Sequence, residues 1–270
     1  MISLRVTPEA NRDGVIAALF AAGSQGVLED GLSVITHFPA DSPISEIRDA
    51  VMDVDPRAQI VVSDAPEVDY TDWRARVGAH HVGELVITPP WLAWEFEPSG
   101  TIVVDPAMAF GTGEHQSTRG SMLLMQGVIR AGDVVADLGS GSAVLSIAAV
   151  KLGASRVAAI EIDPDAITNA EENVVTNGVE HRVEVIQGDA TLLLPLLAPV
   201  RVVLANILSS VLIPMLPVVR GALTPDGQAI LSGIILDERE EMLAAIRENG
   251  LMVEREHTED IWWSVQIALR

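Results

Sequence analysis

The chain has 270 residues, of which 49% are hydrophobic and only 4% aromatic, so it can bury a sizeable core built mainly from Val, Ile, Leu and Ala. It contains no cysteine, which excludes disulfide bonds, thiolate metal sites and a cysteine nucleophile. The formal net charge is −21, which excludes bulk attraction to nucleic acid and favours a cationic partner such as a basic protein. A merely soluble surface would have the same charge, so charge alone does not choose between these two interpretations.

Two segments indicate where in the cell the protein is expected to be. The first ten residues, MISLRVTPEA, lack the basic region and apolar run of a secretory signal, so a cytoplasmic location is expected. The stretch 202–219 is uncharged over 18 residues, the lower limit for a membrane-spanning helix. Because it contains two serines, an asparagine and two prolines, it is interpreted as a strand followed by a helix, with no membrane partner.

Residues 1–66 show the apolar spacing of a small α/β module. The pattern predicts a strand at 2–6, a helix at 15–20, two strands about the turn Asp30-Gly31, a helix at 44–54 and a strand at 58–62. This β-α-β-β-α-β order is that of the ferredoxin-like fold, so a small ferredoxin-like α+β domain is predicted over 1–66.

Residues 67–100 are rich in Pro, Trp and Gly and have weak apolar periodicity, which predicts a linker and a lead-in to the next domain. The adjacent His80 and His81 lie in this segment. We favour a solvated linker over a metal site for this pair, and no metal is predicted.

Residues 101–270 alternate between strand and helix patterns. Strands are predicted at 101–104, 134–138, 156–160, 183–186, 202–205, 229–232, 253–255 and 265–269. Helices are predicted around 142–152, 165–177, 209–222 and 237–249. The alternation indicates an α/β domain with a mostly parallel, doubly wound sheet.

A glycine turn follows the apolar strand that ends with Asp137. Gly139 and Gly141 allow the backbone to approach a ligand closely, and Glu161, 22 residues after Gly139, ends the next strand, where it can bind a ribose diol. Dinucleotide folds need a third glycine where this chain has Val144, so S-adenosylmethionine fits better than a nicotinamide dinucleotide. On this segment alone, a cofactor site and an ordinary strand-to-helix turn are equally compatible with the pattern.

The segment 104–118 favours the cofactor site. It places two glycines, several hydroxyl residues and a histidine just before a helix, and its apolar stretch, which includes Phe110 followed by Gly111, is too apolar for an exposed turn. We therefore predict a lid over the cofactor. Thr118, near the start of that helix, is predicted to bind the cofactor, where it could hydrogen-bond a carboxylate.

Two further polar residues follow predicted strands. Asn206 ends an apolar strand, and its amide could orient an amine, although a helix cap is the alternative. Asp189 lies where adenine recognition is expected, with a turn-forming Asp as a nearly equal alternative.

With these motifs the chain resembles the PrmA-type methyltransferases, which modify the large-subunit ribosomal protein L11. The resemblance covers most of 70–270 and rests on the segments DPAMAFGTGEHQST (105–118), DLGSGS (137–142), LSIAAVKLGA (145–154), IEIDP (160–164), ANIL (205–208) and LSGI (231–234). The lid segment is highly specific and the glycine turn much less so.

The resemblance implies a seven-stranded, Rossmann-like class I methyltransferase domain whose last strand is antiparallel. It also implies contacts with S-adenosylmethionine at Thr118, Gly139, Glu161 and Asn206, and methylation of lysine side chains and an N-terminal amine. The substrate would be a basic ribosomal protein recognised by the N-terminal module, and the enzyme is expected to be a monomer. The chain departs from the family pattern at four positions: Glu161 replaces Asp, Ala143 replaces Gly, and Glu114 and Gln116 replace Thr and Pro.

Three other functions are compatible with parts of the pattern. A methyltransferase of the same fold could act on a different protein or on a small-molecule amine. A non-catalytic cofactor-binding protein would share the pocket, but the intact lid argues against it. A nicotinamide oxidoreductase ranks last because of Val144.

Overall fold

The computed structural model describes residues 2–24, 27–39, 42–64, 77–104, 113 and 115–270. The chain divides into two compact units, Met1–Arg76 and Val77–Arg270. Residues 77–100, which the sequence analysis assigned to the linker and lead-in, belong to the second unit.

The small unit has the order β-α-β-β-α-β. Its elements are β1 (Ile2–Thr7), α1 (Arg12–Ala21), β2 (Val27–Asp30), β3 (Ser33–Phe38), α2 (Ile44–Val54) and β4 (Gln59–Asp64). The four strands form an antiparallel sheet of order β2-β3-β1-β4, the ferredoxin-like arrangement. Leu4 and Val6 of β1 pack with Val15 and Leu19 of α1 in the core of this unit.

A single carboxylate joins the two helices of the small unit. Asp55, directly after α2, accepts hydrogen bonds at Oδ2 from the backbone N–H groups of Glu9, Ala10 and Asn11 at 2.8, 2.8 and 3.1 Å. These backbone bonds lower the pKa of Asp55 to about 2, although its burial opposes the change. Asp55 therefore remains ionised and holds the chain that enters α1.

The larger unit is built on a seven-stranded sheet of order β10-β9-β8-β11-β12-β14-β13. Its strands are β8 (Val134–Leu138), β9 (Arg156–Glu161), β10 (Val183–Gln187), β11 (Val200–Asn206), β12 (Leu223–Ile235), β13 (Leu251–Glu259) and β14 (Trp262–Leu269). The first five are parallel to their neighbours, and β14 runs antiparallel between β12 and β13. The predicted seven-stranded methyltransferase fold with an antiparallel last strand is thus confirmed.

Helices cover both faces of this sheet. They are α3 (Gln116–Met125), α4 (Val144–Lys151), α5 (Pro164–Thr176), α6 (Ala190–Leu197), α7 (Ser209–Ala222) and α8 (Arg239–Glu248). One core lies between α3, α4, α5 and the sheet, and the other between α6, α7, α8 and the opposite face. The uncharged stretch 202–219 forms β11 and most of α7, and no helix among the described residues is long and apolar enough to cross a membrane.

The predicted strand at 101–104 is present but belongs to a different sheet. β7 (Thr101–Val103) pairs in parallel with β6 (Leu85–Thr88), which pairs with β5 (His80–Val82), and the three form a separate small sheet. His80 and His81 therefore lie on a strand rather than in a solvated linker, and a 3₁₀ helix, Pro90–Glu95, follows.

Side-chain amides attach this small sheet to the helices. Asn177 pairs with the backbone of Val103 through two 2.8 Å hydrogen bonds, in the manner of a neighbouring strand. Gln126 binds the β5–β6 turn, accepting from the N–H of Glu84 and donating to the carbonyl of Val82. The small sheet is thereby fixed to the ends of α3 and α5.

Candidate active site

A cavity of about 690 Å³ opens at the carboxyl edge of the parallel strands. The strand order reverses between β8 and β11, which is where ligands bind in open α/β sheets. Every described residue that lines the cavity comes from the larger unit. They include Gly139, Gly141, Glu161, Asp163, Asp165, Asn169, Asp189, Asn206, Leu208, Val211 and Trp262.

The predicted glycine turn forms one wall of the cavity. Gly139 and Gly141 have φ values of 68° and 51°, the left-handed region in which a Cβ is disfavoured. A Cβ on Gly139 would also lie 2.5 Å from Cγ2 of Ile207, so that position needs glycine for two reasons. Ala143, which stands where the family has Gly, adopts φ 61° as well and precedes α4.

Glu161 ends β9 beside this turn and is only 8% exposed. Its Oε2 accepts from the N–H of Gly141 at 2.8 Å, and its Oε1 accepts from the N–H groups of Ile162 and Asp163 at 2.8 and 2.9 Å. A carboxylate offers about four acceptor positions, so these three bonds fix its orientation and leave acceptor capacity for a ligand. The longer reach of Glu, compared with Asp, allows the bond back to the glycine turn.

Asp137, at the end of β8, is buried behind the glycine turn and does not line the cavity. Burial raises its pKa to about 7; hydrogen bonding by Ser146 opposes the change, and the nearby charge of Glu161 adds to it. The Ser146 hydroxyl donates to Oδ2 at 2.7 Å. Asp137 is thus a buried carboxyl group beside the turn whose pKa is raised toward neutral pH.

Asn206 lines the cavity at the end of β11, as expected from the sequence. Its Nδ2 donates to Oγ1 of Thr118 at 3.1 Å. Thr118, in the first turn of α3, is 1% exposed and lies behind Asn206 rather than on the cavity wall. Because this hydrogen bond uses the amide nitrogen of Asn206, its amide oxygen is available to a ligand. A direct contact between Thr118 and the cofactor stays a prediction.

Asp189 has the local capping role that the sequence offered as one alternative, and its contact with adenine stays a prediction. It caps α6, where Oδ1 accepts from the N–H and the hydroxyl of Thr191 at 2.8 and 2.7 Å, and it also lines the cavity. The hydroxyl bond from Thr191, followed by the backbone bond, lowers the pKa of Asp189. Asp189 is therefore ionised at neutral pH.

Most of the described residues that line the cavity were not predicted as site residues; His115, Trp262 and Gly233 are three of them. His115 caps α3 and packs edge-on against Trp262, with the ring centroids 4.6 Å apart. Gly233 has φ 79°, and a Cβ there would lie 2.6 Å from the carbonyl oxygen of Ile207. The predicted lid residues Phe110 and Gly111 lie outside the described residues.

The charged side chains on the described wall of the cavity are all acidic. Four carboxylates line it, from Glu161, Asp163, Asp165 and Asp189, and no Lys or Arg occurs among the described residues of its wall. Within the described part of the chain, no group of three or more His, Cys, Asp or Glu side chains is placed to hold a metal ion. The wall therefore suits a ligand that carries positive charge and hydrogen-bond donors.

Comparisons with known proteins agree with this geometry. The profile of the family described as Ribosomal protein L11 methyltransferase (PrmA) matches residues 9–270. A ribosomal protein L11 methyltransferase of Lacticaseibacillus paracasei is 31% identical over 257 residues, which cover 90% of this chain and 81% of that protein. One of Caldicellulosiruptor bescii is 32% identical over 287 residues, which cover 93% and 92%.

A solved structure has the same fold as this chain. The ribosomal protein L11 methylase of Lactobacillus delbrueckii subsp. bulgaricus superposes with a TM-score of 0.63 at 31% identity, covering 72% of this chain and 99% of that one. The resemblance noted in the sequence, the class I fold and S-adenosylmethionine as cofactor are thus confirmed. This chain belongs to the ribosomal protein L11 methyltransferase (PrmA) family of S-adenosylmethionine-dependent protein methyltransferases.

Proposed function

We propose that this enzyme methylates lysine side chains and an N-terminal amine of ribosomal protein L11, and that Asn206 orients the amine. The observation that carries the role of Asn206 is its hydrogen bond to the buried Thr118. Because this bond uses an amide N–H, the amide oxygen can accept a hydrogen bond from an amine that enters the cavity. The names of the relatives support the substrate, and the net charge of −21 suits a basic partner.

The residues of the cavity fit S-adenosylmethionine. Glu161 keeps acceptor capacity for a ribose diol, and the glycine turn excludes the Cβ atoms that would intrude on a ligand. Asp189 lines the cavity just after β10, which supports a contact with the adenine, and Asn206 ends β11, the strand that pairs with β8 before the glycine turn. When bound, this cofactor supplies a methyl group on a sulfonium centre for attack by a neutral amine.

The protein's part in the reaction is to position the amine. A free lysine has a pKa of about 10.4, so the amine must first lose a proton to solvent. We assign no strong base, because holding the nitrogen in line and excluding water can supply much of the acceleration. The oxygen of Asn206 accepts one N–H, which directs the nitrogen lone pair away from the oxygen and toward the interior of the cavity.

The experiment is methylation of purified ribosomal protein L11 with S-adenosylmethionine, followed by mass spectrometry of the product. The wild-type enzyme should add methyl groups to lysine or N-terminal amines, and Asn206→Ala should fold normally but lose at least about tenfold in kcat. Thr118→Val, which removes the hydrogen-bond acceptor of Asn206, should also lower kcat, whereas Thr118→Ser should keep it near the wild-type value. Normal turnover by Asn206→Ala would refute its assignment, and absence of transfer by the wild type would refute the substrate.

We further propose that the ferredoxin-like unit recognises the substrate, and that the enzyme acts as a cytoplasmic monomer without binding nucleic acid. Deleting residues 1–66, the predicted domain, should abolish methylation of the ribosomal protein more strongly than it weakens cofactor binding. The predicted linker and lead-in span 67–100 and the predicted catalytic domain 101–270, but residues 77–100 belong to the larger unit, so the deletion leaves residues 67–270 in place.

A further inference from the structure

Asn169 is a polar side chain on the inner face of α5 that lines the cavity. It is 8% exposed, so nearly all of it is enclosed by protein. It lies in the second turn of α5, the helix that follows Glu161, the residue proposed to bind the ribose diol. A buried amide normally has its hydrogen bonds satisfied, so its partners need to be identified one by one.

The oxygen of Asn169 has a partner within the helix. Asn173, one turn later, donates from Nδ2 to Oδ1 of Asn169 at 3.1 Å and to the carbonyl of Ser142 at 3.0 Å. Asn173 is itself 5% exposed, so this chain of bonds ties α5 to the glycine turn and fixes the amide of Asn169. Among the described residues, Nδ2 of Asn169 has no acceptor. Because Oδ1 is bound by Asn173, Nδ2 is the polar atom that this side chain can offer to a ligand in the cavity it lines.

A ribose hydroxyl needs both kinds of partner. Glu161 can only accept, so a hydroxyl that donates to this carboxylate keeps its oxygen lone pairs free. The N–H groups of Asn169 are the complementary donor on the same wall. We propose that Asn169 donates a hydrogen bond to a ribose hydroxyl of S-adenosylmethionine, an inference that rests on the placement of the diol at Glu161.

The proposal makes Asn169 a specificity residue for the sugar. A site that hydrogen-bonds a hydroxyl from both sides discriminates against a ligand that lacks it, because the buried partners are then left unpaired. Removal of the amide should therefore weaken the binding of ribose ligands and leave the binding of the matching deoxyribose ligand nearly unchanged.

The test is calorimetric titration of the full chain with S-adenosylhomocysteine and with its 2′-deoxy and 3′-deoxy forms. The wild type should bind the ribose form most tightly. Asn169→Ala should weaken S-adenosylhomocysteine about fivefold, the value of one hydrogen bond, and should lose the same factor from its preference over one of the two deoxy forms.

The control is Thr168→Ala, an exposed neighbour in the same turn of α5, which should bind all three ligands as the wild type does. If Asn169→Ala weakens all three ligands equally, or none, Asn169 does not contact the hydroxyl and the proposal is overturned. If the wild type itself shows no preference for ribose, the diol does not bind at Glu161, and the proposal for Asn169 is refuted as well. Because these titrations use no protein substrate, they are independent of the outcome with ribosomal protein L11.

Discussion

Asp137 is a carboxyl group that the fold holds in an unfavourable environment. It is 1% exposed, and its side chain receives one side-chain hydrogen bond, from Ser146. Burial raises its pKa from 3.8 to about 7, so the folded protein binds a proton there more tightly than the unfolded chain does. The unfolded chain releases this proton near pH 4, and the folded protein releases it only near pH 7. The contribution of Asp137 to stability therefore decreases as the pH rises between these values.

This argument predicts the behaviour of Asp137→Asn. The variant keeps an oxygen for the Ser146 hydroxyl but does not ionise, so its folded state does not contain the unfavourable buried charge. Its free energy of unfolding relative to the wild type should increase from pH 4 to pH 7 and then level off. The pKa difference corresponds to a total change of about 4 kcal/mol as an upper limit. Urea titrations at several pH values measure it, and a constant difference between the two proteins would contradict the argument.

At the scale of elements, the loop after β11 is held by the strand beside it. Gly233 of β12 lies against the backbone of Ile207, with a built Cβ only 2.6 Å from its carbonyl oxygen and 3.0 Å from its nitrogen. Ile207 follows Asn206 directly, and its N–H donates to the carbonyl of Ser232 at 3.2 Å. The position of Asn206 therefore depends on a glycine in the neighbouring strand.

Gly233→Ala should consequently reduce both stability and turnover. The left-handed φ of 79° and the backbone contact should together cost at least about 2 kcal/mol in unfolding free energy, and displacement of Ile207 should lower kcat. The control is Gly221→Ala in α7, where a Cβ meets no atom within 4 Å. This change should stabilise the helix by about 0.5 kcal/mol and leave kcat unchanged. Chemical unfolding and steady-state kinetics of the two variants check both expectations, which fail if Gly233→Ala matches its control.

The difference between these residues explains what the sequence could predict. Gly139 directly follows β8, and Glu161 and Asn206 are the last residues of β9 and β11. All three strands are parallel and have a strong apolar pattern, so the place of these residues at one sheet edge follows from local spacing. Trp262, the first residue of β14, reaches the cavity because β14 runs antiparallel beside β12, and that strand order is set by tertiary packing.

Two errors at the scale of elements have similar causes. The strand pattern at 101–104 is the same whichever sheet the strand joins, so the sequence could not show that β7 pairs with β6. The helix α6 was not predicted, because its run of leucines around Pro195 has no clear helical period. Capping by Asp189 begins this helix, a signal present in the sequence but equally typical of a turn.

At the scale of the larger unit, its charges are separated along the strand direction. Most of its Lys and Arg side chains lie at the edge opposite the cavity, because they lie before or at the start of a parallel strand, near the end of a helix, or at the end of β14. They are Arg130, Lys151, Arg156, Arg182, Arg201, Arg220, Arg247 and Arg270. The exceptions are Arg119, Arg239 and Arg255. Cations at helix C-termini complement the helix dipoles, which gives this distribution a structural cause. Its consequence is a catalytic edge where carboxylates dominate and a basic protein is attracted.

Two charge reversals of equal size can test this orientation effect. Asp237 precedes α8 at the catalytic edge, and Glu248 is the last residue of α8 at the opposite edge; both are exposed and neither lines the cavity. Asp237→Arg and Glu248→Arg change the formal net charge identically, from −21 to −19. At low ionic strength and saturating cofactor, Asp237→Arg should lower kcat/KM for ribosomal protein L11 by about threefold, and salt should remove the difference because it screens exposed charges. Glu248→Arg should have little effect at any salt concentration. Equal losses in the two variants would show that only net charge matters, and that the separation of charge within this unit does not guide the substrate.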